Sequence, residues 1–253
     1  MFLLNKLLQF LTPLSLLLTF EILIYKEKWL WIISPIVVVL VILTLWSFTR
    51  KKINIEFFSF LISPLIYVCS CIAFVLFVEN NLFYHVFAAA VSIFLFIYLG
   101  RILDYKFYPK RYQPYSLENF SWYLNLIVCF VFFAFIYALI IFIKVKIIYL
   151  VVPVLAVCML LSYQLFWVNK IKFRESNVFV FTIAVVLVEL FSAIYYLPTS
   201  FFINALILTV AFYLMTGLSR YFLLGNLNNK KIINFVIVSA VCLIAILATA
   251  QWV

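Results

Sequence analysis

Charged side chains are what this sequence has least of. Asp, Glu, Lys and Arg make up 10% of its 253 residues, and 69% are hydrophobic. An ordinary soluble domain is about a quarter charged and about half apolar. There is too little charge here to cover a water-facing surface of this size. A soluble enzyme, a disordered chain and a secreted disulfide scaffold are therefore excluded. Glycine is also scarce, with 3 residues, Gly100, Gly217 and Gly225. None forms a GxxxG pair, so helix contacts are expected to rest on Phe, Leu and Ile with scattered Ser, Ala and Thr. The five cysteines, Cys69, Cys71, Cys129, Cys158 and Cys242, all fall in apolar runs. Their spacing fits no metal site, and they read as small buried hydrophobes. No phosphate-binding loop, dinucleotide fingerprint, nucleophile elbow or HExxH motif occurs. No cofactor or metal is expected, and no recognition motif points to nucleic acid.

What the sequence does have is long apolar runs and aromatic residues, the latter 21% of the chain, at a mean hydropathy of +1.27. A helix needs about 20 apolar residues to cross the hydrocarbon core. Nine such stretches lie near 7–25, 29–49, 57–78, 82–100, 120–143, 147–168, 178–197, 200–224 and 232–251. The pattern predicts an all-α polytopic transmembrane helix bundle of nine spans, with eight as the alternative count. The first stretch carries Lys6 and runs on to Glu21 without a small-residue cleavage site. It reads as a retained helix, not a signal peptide.

Basic residues set the expected orientation. One side of the arrangement holds Lys6, Arg50, Lys51, Lys52, Arg101, Lys106, Lys110, Arg111, Lys170, Lys172, Arg174, Arg220, Lys230 and Lys231. The other side holds only Lys26, Lys28, Lys144 and Lys146. This bias places the N-terminus in the cytoplasm and the C-terminus outside, in a multi-pass cell-membrane protein. The net charge of +10 then reads as topology and as attraction to anionic headgroups on the cytoplasmic side. Membrane lipids are the expected partners, and no protein partner is indicated.

The chain carries signs of an internal repeat. At an offset of 118 residues Lys26 falls on Lys144, Lys28 on Lys146, Pro35 on Pro153 and Lys52 on Lys170. One residue further, Glu56 meets Glu175, Arg101 meets Arg220, and His85 stands opposite Asn204. A four-span unit crosses the membrane an even number of times, so two copies would point the same way, as the basic loops require. The expected organisation is a first four-helix repeat in 1–100, a basic aromatic cytoplasmic linker in 101–119, a second repeat in 120–225, and a C-terminal helix in 226–253.

Ionisable groups at membrane depth are costly and mark candidate sites. Glu189 stands nine residues before Pro198, about 12 Å from the outer end of its span at 1.5 Å per residue. It is expected to face the bundle, as a structural hydrogen bond or as a proton or cation site. Glu21 is expected to pair with Lys26 or to reach the interface. With Glu79, His85 and Asn204, these residues all fall in the outer half and define a candidate polar site. Arg101 and Arg220 end matched spans and are candidate headgroup contacts, together with Lys110 and Arg111. The linker around them carries four tyrosines, Tyr105, Tyr108, Tyr112 and Tyr115, among its basic residues, a composition suited to the headgroup layer. Ser116 is placed to cap the following helix.

The segment ELFSAIYYLPTSFFINALILTVAFYLMTGLSR carries Glu189, then Leu197, Pro198, Thr199 and Ser200, then Asn204, Gly217 and Arg220. It resembles an uncharacterised family, a domain of unknown function, of small polytopic membrane proteins from candidate-phylum, Patescibacteria-like bacteria. The resemblance implies a bacterial cytoplasmic membrane and directs attention to the hairpin from Glu189 to Arg220. It brings no activity with it. Three function classes remain: a non-enzymatic transporter-like or binding module, a structural or assembly subunit, and a lipid-modifying enzyme using His85 or Glu189.

Overall fold

A computed structural model describes residues 2–50 and 52–250. Lys51, one of the basic residues counted above, lies outside the described residues. The elements are α1 (Phe2–Tyr25), a 3-10 turn (Glu27–Trp29), α2 (Leu30–Phe48), α3 (Ile55–Val75), α4 (Asn81–Phe107), α5 (Ser116–Phe142), α6 (Ile147–Val168), α7 (Phe173–Ile194), α8 (Phe201–Leu223) and α9 (Asn229–Ala248). Among the described residues, nine α-helices are long and apolar enough to cross a membrane. The physical reason is that lipid offers the backbone no hydrogen-bond partner, so runs of this length must satisfy themselves as helices. α4 runs on to Phe107, so Arg101 is helical and the connection to α5 shrinks to residues 108–115.

Helix ends follow local chemistry. The side chains of Asn54, Asn80 and Ser200 accept hydrogen bonds from first-turn amides of α3, α4 and α8. Beyond the C-terminal ends of α2, α5 and α6 the chain turns left-handed at Arg50, Lys144 and Lys170, with φ of 55°, 58° and 60°. Glycine normally takes such positions, and only Gly225, after α8, does so here, with φ of 66°. Basic residues at the other three ends still complement the negative end of the helix dipole.

The chain divides into two compact units, Met1–Leu124 and Asn125–Val253. In the first, α1 and α2 are joined by a buried polar seam. Thr12 and Thr44 hydroxyls lie 2.6 Å apart, and the Ser47 hydroxyl donates to Asn5 Oδ1 at 2.7 Å. The Tyr67 hydroxyl of α3 donates to the Val91 carbonyl of α4 at 3.2 Å. In the second, the Asn125 side chain of α5 donates to Gln164 Oε1 of α6 at 2.7 Å, with both residues fully buried. The Tyr137 hydroxyl donates to the Phe191 carbonyl of α7 at 3.0 Å. α8 and α9 meet where the Phe235 ring fills the notch over Gly217. Small and hydroxylated residues thus sit at the helix contacts, as packing in lipid favours. The cysteines divide: Cys71, Cys129 and Cys158 are buried as expected, whereas Cys69 and Cys242 are exposed on their helices. Nothing in their apolar sequence context separates the two groups.

Candidate functional site

Two of the candidate polar residues of the first unit, Glu21 and His85, are drawn together by α1 and α4. His85, in the second turn of α4, places Nδ1 2.9 Å from Glu21 Oε1 near the end of α1. Beside it the Tyr84 hydroxyl donates to the Phe20 carbonyl at 2.7 Å. Glu21 therefore pairs with His85 and not with Lys26, because α1 and α4 pack side by side and bring residues 64 positions apart into reach. Both side chains stay partly exposed, at 48% and 35%. A carboxylate-oriented imidazole is the arrangement of a general base. Among the described residues, however, no group of three His, Cys, Asp or Glu could hold a metal ion beside it. Glu79 is exposed in the α3–α4 connection.

The second unit treats its two candidate polar residues differently. Asn204 is buried in the first turn of α8 and accepts a hydrogen bond from Thr199, just before that helix. Glu189 is exposed. On α7 the buried residues Ser176, Val180, Ile183, Ala184, Leu187, Phe191 and Ile194 form one stripe. At 100° per residue Glu189 falls on the opposite face, with Val178, Thr182, Val185 and Ser192. The expectation that it faces the bundle is thereby corrected. α7 also ends earlier than the sequence suggested, so Glu189 is five residues from its end, about 7.5 Å. Helical side chains lean toward the N-terminus, so this carboxyl leans away from that end, into the span.

At the opposite end of the first unit, Lys106 of α4 forms an ion pair with Glu56 of α3 and lies 6.0 Å from the Phe60 ring. The sequence showed no sign of this pair, whose members are fifty positions apart. Arg101 is half-buried on α4, and Lys110 and Arg111 are exposed in the connection to α5. There the Tyr112 hydroxyl donates to Glu118 Oε2 at 2.7 Å and accepts from the Leu117 amide at 3.3 Å. Burial and the bond to Glu118 push the Tyr112 phenol up, so it remains a donor at neutral pH. It meets the first-turn amide that a capping side chain at Ser116 was expected to serve; Ser116 itself opens α5.

Arg220, at the end of α8, is buried. Its guanidinium lies 5.5 Å from the Tyr221 ring, and the Lys231 ammonium lies 4.3 Å from the same ring. Lys231 also donates to the Asn226 carbonyl at 2.8 Å. The sequence singled out Arg220 but missed Lys231 and Tyr221, which only the α8–α9 hairpin brings together.

No curated protein and no solved structure matches this chain. A family model does match, over residues 13–249, from the middle of α1 through α9. The chain therefore belongs to the family described as Protein of unknown function (DUF5656).

Proposed function

We propose that this chain is a non-enzymatic membrane assembly subunit whose working contact is made inside the bilayer, through the outward face of α7. The observation that carries this is the position of Glu189. A carboxyl on the lipid side of a span is costly wherever it finds no polar partner. Around it the same face offers Thr182 and Ser192, the residue types that join helices in membranes. The occupant that matches this face is a second copy of the chain. A two-fold axis along the membrane normal sets equal depths against each other, so the Glu189 region of one copy meets the Glu189 and Ser192 region of the other. A transporter-like reading would need Glu189 on an enclosed path, and its exposure gives that reading no support. The His85–Glu21 pair acts, in this account, as an outer clasp between α1 and α4.

The basic residues favour a cytoplasmic N-terminus and an external C-terminus, and the resemblance favours a bacterial cell membrane. The parallel repeat is part of the same proposal. α2, α3 and α4 begin at residues 30, 55 and 81, and α6, α7 and α8 begin at 147, 173 and 201, near the offset found in the sequence.

The test is step-counting photobleaching of singly labelled protein diluted into phosphatidylcholine vesicles. Wild type and Glu189→Gln, which keeps the hydrogen-bonding group, should bleach mainly in two steps. Glu189→Leu should bleach mainly in one. A monomeric wild type, or a Glu189→Leu variant that pairs as wild type does, overturns the proposal.

A further inference from the structure

We infer that the α8–α9 hairpin holds one anionic phospholipid, with its phosphate between Arg220 and Lys231 and an acyl chain in the cleft deeper along the same helices. Gly217 sets how closely the two helices of this hairpin approach. Without a side chain there, Phe235 of α9 drops against α8 and rests between Tyr213 and Tyr221, at ring distances of 5.2 and 5.7 Å. Lys231 lies one turn before Phe235 on the same face of α9, and this docking sets its ammonium over the Tyr221 ring. Arg220 approaches that ring as well, so two cations lie within about 10 Å of one another, by the distances each makes to it. Lys230 adds a third positive charge. No Asp or Glu follows Glu189 anywhere in the chain, so this hairpin carries no carboxylate of its own. Cations gathered on an aromatic ring at the end of a span suit the phosphate of a membrane headgroup.

The second observation lies deeper. A cleft of about 240 Å³ is lined by Leu126, Thr209, Tyr213, Val238, Ser239 and Cys242. Lys231, Phe235, Val238 and Cys242 are spaced i, i+4, i+7 and i+11, one face of a helix. From Lys231 to Cys242 is eleven residues, about 16 Å, which is close to half the hydrocarbon thickness. A headgroup bound at the cations therefore lets its acyl chain run along α9 into this cleft. Charge at one end and an apolar trough at the other match a phospholipid better than a soluble phosphate, which would leave the trough unused.

The test uses spin-labelled lipids in phosphatidylcholine vesicles containing the full chain. Spin-labelled phosphatidylglycerol should be immobilised several-fold more than spin-labelled phosphatidylcholine. Arg220→Gln with Lys231→Gln should bring the two to parity, whereas Lys144→Gln with Lys146→Gln, which removes the same charge from exposed residues elsewhere on the chain, should leave the preference standing. Val238→Trp, which fills the cleft without touching the cations, should release the immobilised lipid as well. Inorganic phosphate at 10-fold excess over lipid should displace nothing. Parity in the wild type, an unchanged preference in the Arg220/Lys231 variant or the Val238 variant, or full displacement by inorganic phosphate overturns the assignment, the last by making the ligand a soluble phosphate. These outcomes are independent of whether two copies associate through α7.

Discussion

Gly217→Ala is expected to destabilise the protein by up to about 2 kcal/mol, although alanine is the better helix former. The gain in helix propensity is about 1 kcal/mol. Against it, a Cβ at this position would sit closer than van der Waals contact allows to three Phe235 ring carbons, Cε1 nearest. That ring is itself buried and held between two tyrosines, so it cannot swing aside freely. Overpacking of this kind costs about 1–3 kcal/mol, and the clash wins. Gly217→Val should cost more. Thermal unfolding in detergent checks the sign, and the double variant Gly217→Ala with Phe235→Leu should recover much of the loss. A stabilised Gly217→Ala protein would show that α9 does not dock through Phe235. Because the docking also seats Lys231, the same variant should weaken the lipid preference; Gly100→Ala should not. A Cβ at Gly100 meets only the far end of the Gln9 side chain, which can rotate away.

Asn125→Leu is the second large effect, at about 1–1.7 kcal/mol. Asn125 and Gln164 are fully buried and bonded to each other at 2.7 Å. Removing one partner leaves a buried amide short of a donor, a cost of about 1–3 kcal/mol in protein interiors. Membrane hydrogen bonds measured by mutation reach only about 1.7 kcal/mol, which sets the upper end of the expectation. Replacing both residues by leucine should be much milder than the single change, since no orphaned group remains. A denaturation series on the two singles and the double gives the coupling directly. Additive losses would mean that the pair contributes nothing as a pair.

The amino-acid sequence is a sufficient guide where the physics is one-dimensional. The count of nine apolar helices needs only run length, because each span is set by bilayer thickness. Its failures came where neighbours decide. α4 was placed only to residue 100, because Arg101, Asp104 and Lys106 look like loop. The helix continues past them, and Lys106 is held there by Glu56 on α3. For Glu21 the sequence offers Lys26 or the interface, whereas its partner is a histidine on another helix. Lys231 looked like one more flanking charge until Phe235 fixed it over Tyr221.

Composition and run length by themselves determined that this protein is a helical membrane bundle and which few polar residues merit attention. The tertiary structure alone decided which way those residues face. In a soluble helix the apolar stripe marks the inside. Here lipid makes the outside apolar too, so the polar stripe of Thr182, Glu189 and Ser192 on α7 does not by itself say whether it faces the bundle or the lipid. Glu189 could be assigned to the outward face only once Leu187 and Phe191 were seen buried on the other.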